Sequence, residues 1–182
     1  TTVIISYYRG NRTTSQLYNG KIYMPSNHTG EMDIYDIATG TATTVTLPTY
    51  MTKYTSQLYN GKIYMPSYSG TTMEIYDIAT GTATTATLTT NMRRYTSQLY
   101  NGKIYMPSYD DTTMEIYDIA TGTSTTVTLP TNMRRYTSQL YNDKIYMPSY
   151  DGKTMEIYDI ATGTSTTVII SYYRGNRTTS QL

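Results

Sequence analysis

The chain has 182 residues and a net charge of +1, its 14 basic and 13 acidic side chains spread over the whole length, which argues against a nucleic-acid partner. It has no cysteine, which excludes disulfides, thiol catalysis and thiolate metal sites, and no apolar run near the roughly 18 residues of a membrane-spanning helix. There are 23 tyrosines but no phenylalanine or tryptophan, and threonine is abundant, a composition suited to pleated sheet that is wet on one side.

Residues 1–5 already read as strand, and residues 1–13 are expected to be an outer strand and joint from a preceding unit. The string Thr-Ser-Gln-Leu-Tyr-Asn then begins at Thr14, Thr55, Thr96 and Thr137, in steps of 41 residues, and Thr-Ser-Gln-Leu returns at Thr179 after 42. Four units follow, residues 14–54, 55–95, 96–136 and 137–178, with residues 179–182 opening another. The third unit shows the elements in order. Residues 96–100 form a short first strand, and Asn101-Gly102 is a hairpin turn, because both of its central positions need positive φ. Residues 103–106 form the second strand, closed by Pro107, which cannot donate to a ladder. After a polar loop, residues 114–119 form a third strand with Met114, Ile116 and Asp118 on one face and Glu115, Tyr117 and Ile119 on the other. Ala120-Thr121-Gly122-Thr123 turns the chain into a fourth strand, residues 125–129, and residues 130–136 link to the next unit.

Four short antiparallel strands per roughly 40 residues is the signature of a propeller blade. The expected fold is therefore all-β, a propeller-like array of four blades with duplicated end segments. A parallel β-solenoid is the structural rival, although it lacks an Asn-Gly hairpin in each unit. Residues 60–88, NGKIYMPSYSGTTMEIYDIATGTATTATL, resemble the YVTN-type propeller repeat. The resemblance lies in a Gly-Lys-hydrophobic-Tyr strand, a strand ending in Asp, and an Ala-Thr-X-Thr turn before the outer strand. The chain also resembles the kelch repeat through NGKIY, EIYD and the arginine before the first strand. It departs from these patterns in Pro66-Ser67, where kelch has paired glycines, in Ala83, where kelch has tryptophan, and in the tripeptide Met65-Pro66-Ser67 after the family's tyrosine. The resemblance implies a binding or scaffold module, a type found in some cell-surface proteins.

Residues 166–182 repeat residues 1–17 letter for letter. Four blades closing on themselves, two chains pairing into an eight-bladed ring, or continuation with a period of 165 residues each give the end blades neighbours. The third, alone or combined with one of the others, accounts for the perfect copy. Residues 166–171 are apolar, uncharged and β-branched, a strand edge able to recruit another strand.

The loop after the second strand and the link between blades are expected to share one face. That face carries Tyr68, Asp110, Asp111, Tyr150 and Asp151 from the loops and Arg93, Arg94, Arg134 and Arg135 from the links. Tyrosine with arginine is a common recognition mixture, fitting a glycan or an acidic peptide; the simpler expectation is that Arg and Asp pair with each other across neighbouring blades. Asp36, Asp77, Asp118 and Asp159 are read as caps of their own turns. His28 is the sole histidine, which argues against a catalytic triad, a histidine metal cluster or any bound cofactor. Asn11, Asn27 and Asn176 each begin an Asn-X-Thr sequon. These features point to a non-enzymatic structural protein, outside the cell or on its surface, assembling with itself through its end strands into a fibre or layer. The alternatives are a glycan- or peptide-binding propeller and an engineered repeat propeller; neither nucleic acid nor membrane insertion is expected.

Overall fold

The computed structural model describes residues 13–170, apart from Asn27, His28, Met51, Met133 and Asp151. These residues form four separate four-stranded antiparallel meanders and no helix. Blade 1 holds β1 (Gln16–Tyr18), β2 (Lys21–Pro25), β3 (Glu31–Asp36) and β4 (Thr41–Thr46). Blade 2 holds β5 (Gln57–Tyr59), β6 (Lys62–Pro66), β7 (Thr72–Asp77) and β8 (Thr82–Thr87). Blade 3 holds β9 (Gln98–Tyr100), β10 (Lys103–Pro107), β11 (Thr113–Asp118) and β12 (Thr123–Thr128). Blade 4 holds β13 (Gln139–Tyr141), β14 (Lys144–Pro148), β15 (Thr154–Asp159) and β16 (Thr164–Ile169).

The local chemistry sets this register. Asn60 and Gly61 have φ of 46° and 70°, the left-handed pair that a two-residue hairpin needs to match strand twist. In blade 4 the turn is Asn142-Asp143, and Asp143 takes φ 60° without glycine's freedom. The proline of each second strand sits at its last rung, as Pro107 opposite Met114, where a missing donor costs least. The Asp118 carboxylate accepts the N–H groups of Ala120 and Thr121 at 3.0 and 3.2 Å, and Gly122 with φ 71° closes the turn. Pairing therefore resumes at once, Asp118 opposite Thr123. This corrects the sequence reading of the fourth strand, which begins at Thr123 rather than 125 and ends before Leu129, which is buried in the joint with blade 4. The first strand is likewise shorter, starting at Gln98.

The chain divides into two compact halves, residues 1–87 and 88–182. In the first, Tyr23, Met32 and Leu47 of blade 1 pack on Ile63, Met65 and Tyr76 of blade 2. In the second, Tyr105, Met114 and Leu129 of blade 3 pack on Ile145, Met147 and Tyr158 of blade 4. Each joint thus has a trailing face on the earlier blade and a leading face on the later one. Alternation along β11 divides its residues as expected, with Met114 and Ile116 on the trailing face and Tyr117 on the other. The recurring Thr-Ser-Gln string is the polar part of the same joint. Gln16 Nε2 donates to the Ser56 carbonyl at 2.9 Å and the Thr14 and Ser56 hydroxyls meet at 3.0 Å. In the second half Gln98 reaches the Ser138 carbonyl at 2.7 Å and Thr96 the Ser138 hydroxyl at 2.8 Å.

Candidate functional site

The link and the loop after the second strand form one hydrogen-bonded layer. In the second half the Tyr109 N–H donates to the Arg93 carbonyl at 2.7 Å, the Arg135 N–H to the Tyr109 carbonyl at 3.1 Å, and the Tyr150 N–H to the Arg134 carbonyl at 2.8 Å. Arg94 and Ser108 form an antiparallel bridge. A link held in this extended form sends successive side chains to opposite sides, so the Arg-Arg pairs split. Arg93 and Arg134 are exposed; Arg94 and Arg135 are fully buried.

Arg94 and Arg135 are therefore corrected as members of an open binding face. Arg94 Nη2 meets the Glu115 carboxylate at 2.5 Å and the Thr90 carbonyl at 2.5 Å, while Nη1 meets the Met92 carbonyl at 3.1 Å. Arg135 repeats the ion pair with Glu156 at 2.5 Å and the bond to the counterpart carbonyl, that of Thr131, while its Nη1 turns to the loop carbonyls of Asp111 and Ser108 at 2.8 and 3.2 Å. Lys53 and Glu74 do the same in the first half at 2.9 Å. The acids are equally buried and gather link donors: Glu74 accepts the Thr49 N–H at 2.7 Å and its hydroxyl at 2.6 Å. Burial pulls the Arg94 guanidinium below its ordinary pKa, against the opposing effect of Glu115. Charges this deep are tolerated because hydrogen-bonded partners surround them. Each pair buckles a link onto the third strand of the blade it precedes. Sequence reading did not find these acids; the constant 21-residue spacing from Arg94 to Glu115 and Arg135 to Glu156 was the signal.

The same layer holds an aromatic cluster, with Tyr109 buried and Tyr95, Tyr136 and Tyr150 half-buried. Tyr95, Tyr109 and Tyr136 pack with ring centroids 4.7 to 4.8 Å apart, and Tyr150 continues the cluster at 5.0 Å from Tyr136. The hydroxyls of Tyr109 and Tyr136 meet at 2.9 Å. That bond raises the Tyr136 pKa, with nearby Arg134 pulling the other way. In the first half Tyr68 lies edge-on to Tyr54 at 4.9 Å, but Thr52 and Ser69 hold the positions that Arg93 and Asp110 hold in the second, so the charge is missing there. Arg93 is neutralised by Asp110 at 2.9 Å. Asp111 is spent on its own turn, accepting the Thr112 N–H at 2.6 Å. Asp151 and the sequon residues Asn11, Asn27 and Asn176 lie outside the described residues.

Beside Arg134 is a cavity of about 430 Å³ walled by Thr131, Asn132, Ser149, Tyr150 and Thr154. It brings together a cation, an aromatic ring, an amide and several hydroxyls. A second cavity of about 380 Å³ lies at the turn end of the first half, between Tyr18, Lys21, Tyr23 and Gly61. The four turn aspartates are occupied as expected. For Asp118 the Thr121 N–H is the largest cause of a lowered pKa, followed by the Lys103 ammonium at 3.3 Å. Among the described residues no group of three or more His, Cys, Asp or Glu side chains is placed to hold a metal ion.

No family model and no curated protein matches this chain. Solved structures do match. Virginiamycin B lyase from Staphylococcus aureus superposes with a TM-score of 0.79 at 12% identity, over 93% of this chain and 59% of that one. The WD40 repeats of RRP9 give 0.72 at 9% identity, over 90% and 52%. The computationally designed Ika8 protein gives 0.66 at 14% identity, over 93% and 52%. The chain thus has a propeller-like, all-β repeat fold and spans little more than half the length of these three structures.

Proposed function

We propose that this chain is a non-enzymatic, propeller-like binding module with repeats of the YVTN or kelch type, and that it takes an acidic sugar of a glycan in the cavity beside Arg134. The observation that carries this reading is the meeting of exposed Arg134 with Tyr150, Asn132 and Thr131 around one cavity. A guanidinium fork matches a sugar carboxylate. A tyrosine ring offers an apolar surface to the sugar's C–H face while its hydroxyl stays wet. Amide and hydroxyl groups then read the ring hydroxyls. The sequons at Asn11, Asn27 and Asn176 support a place outside the cell.

The test is calorimetric titration with two oligosaccharides that differ only in a uronate carboxylate against its neutral amide. Saturable binding of the uronate is expected, weakened about tenfold or more in Arg134→Ala and Tyr150→Ala, since a charge-assisted hydrogen bond contributes about 1.5–3 kcal/mol. Equal binding of the two sugars, or capture of acidic peptides in place of sugars, overturns the assignment.

A second reading, a structural unit that assembles with itself, is favoured by a separate observation. Large apolar side chains stand exposed on the end blades, among them Leu17, Val168 and Ile169, beside units that are nearly identical in sequence.

A further inference from the structure

The cavity of about 380 Å³ in the first half differs from the same corner of the second half by one residue. Tyr18, Asn19, Lys21 and Tyr23 of blade 1 wall it with Ile78 and Ala79 of blade 2, and the same residue types recur two units later, from Tyr100 to Ala161. The remaining wall is Gly61, and its counterpart is Asp143. The turns that carry these two have one shape: Asn60 and Gly61 take φ of 46° and 70°, Asn142 and Asp143 46° and 60°. In the second half the Asp143 carboxylate reaches across the joint to blade 3 and accepts the Tyr100 hydroxyl. In the first half the Tyr18 hydroxyl lies 3.7 Å from the point where a side chain at residue 61 would begin, and glycine puts nothing there. The chain itself thus shows what fits this corner, a carboxylate.

We propose that the cavity beside Gly61 binds a monocarboxylate, whose oxygen takes from the Tyr18 hydroxyl the hydrogen bond that Asp143 takes from Tyr100. Lys21 supplies the cation. Its ammonium lies 3.5 Å from Asp36, and an ammonium has three donors, so that pair leaves it able to meet a second anion. Ile78, Ala79 and the ring of Tyr23 offer apolar surface to the body of the acid. The volume is at the lower end of the range for small-molecule sites, about 300–1,000 Å³, so the body is short. This site is independent of the sugar cavity beside Arg134 and stands whether or not that reading does.

The test is a titration with butyrate and with its neutral amide, butyramide, followed by backbone amide NMR. It is run on the Arg134→Ala variant, so that the cation of the other cavity does not contribute. Butyrate is expected to move the Gly61, Ile78 and Ala79 signals saturably, and butyramide to leave them in place. Tyr18→Phe keeps the ring and removes the donor, and should weaken binding about tenfold. Gly61→Asp, at a φ that Asp143 already accepts, gives the first half a carboxylate of its own and should abolish the shifts. Asp143→Gly should open the second half and add a second set of shifts at Ile160 and Ala161. Circular dichroism checks that each variant folds. Equal shifts from butyrate and butyramide, binding that survives Gly61→Asp, or no second site in Asp143→Gly overturns the proposal. So does a chain that neither butyrate nor a tripeptide with a free C-terminus shifts. Shifts from the tripeptide alone would identify the carboxylate as that of a chain end, and shifts from butyrate as that of a free acid.

Discussion

Arg93 and Arg94 are neighbours in the chain and opposites in environment. Arg93 is exposed and shares one surface ion pair with Asp110; Arg94 is sealed inside with Glu115. Exposed pairs contribute about 0–1 kcal/mol, whereas removing one partner of a buried pair costs about 3–5 kcal/mol. Arg93→Ala is therefore expected to leave stability almost unchanged, and Arg94→Ala to lower it by about 3–5 kcal/mol, both read by urea denaturation. Comparable losses for the two would show that the buckle is not what holds the link. Nothing in the sequence around Arg94 distinguishes it from Arg93, because both precede a tyrosine in a polar link. What distinguishes them is strand-like alternation in the link, and that depends on its bridge to Ser108. Glu115 was hidden for a related reason. A charged residue between Met114 and Ile116 reads as solvent-facing in a sheet with one wet side, but the link covers it, Thr90 and Arg94 both bonding the Glu115 carboxylate.

At the scale of the strand, most of the architecture was legible. The Asn-Gly turns, the terminal prolines and the alternation along the third strand come from local chemistry, and the backbone follows them. The outer strand was harder to place, since a run of threonine and alanine gives no period; only the capped Asp118 turn shows where it starts. The third strands also carry the tyrosines Tyr76, Tyr117 and Tyr158, whose phenols burial raises above their ordinary pKa. A phenol with a raised folded value stabilises the fold fully below its unfolded pKa, about 10, and that contribution disappears as pH climbs through the folded value. Stability is expected to hold level up to about pH 10 and then fall. Phenolate absorbance of the native chain should lag behind that of the urea-denatured chain. Coincident titrations would mean that these rings are open to water.

At the scale of the molecule, the 41-residue period gave the number of blades. It did not give the sidedness of a blade, because near-identical units look interchangeable until their neighbours are known. The same side chain therefore has a position-dependent worth. Met65 is fully buried between two blades, while Met24, its counterpart, is half-exposed on blade 1. Met65→Ala is expected to cost about 2–5 kcal/mol, and Met24→Ala less than half as much in dilute solution. Equal costs by denaturation at low concentration would show that the blade 1 face is covered within the single chain.

The joint of Thr14 and Gln16 with Ser56 has a consequence for inheritance. Its partners are written in the same letters at every step, so the gene can lose or gain a whole step by recombination between its own copies without spoiling a contact. Removing residues 55–95 would bring Ser97 opposite Thr14, where Ser56 stood. A lineage carrying this gene is expected to vary in length by multiples of 41 residues, because any other insertion leaves one blade facing a neighbour out of step.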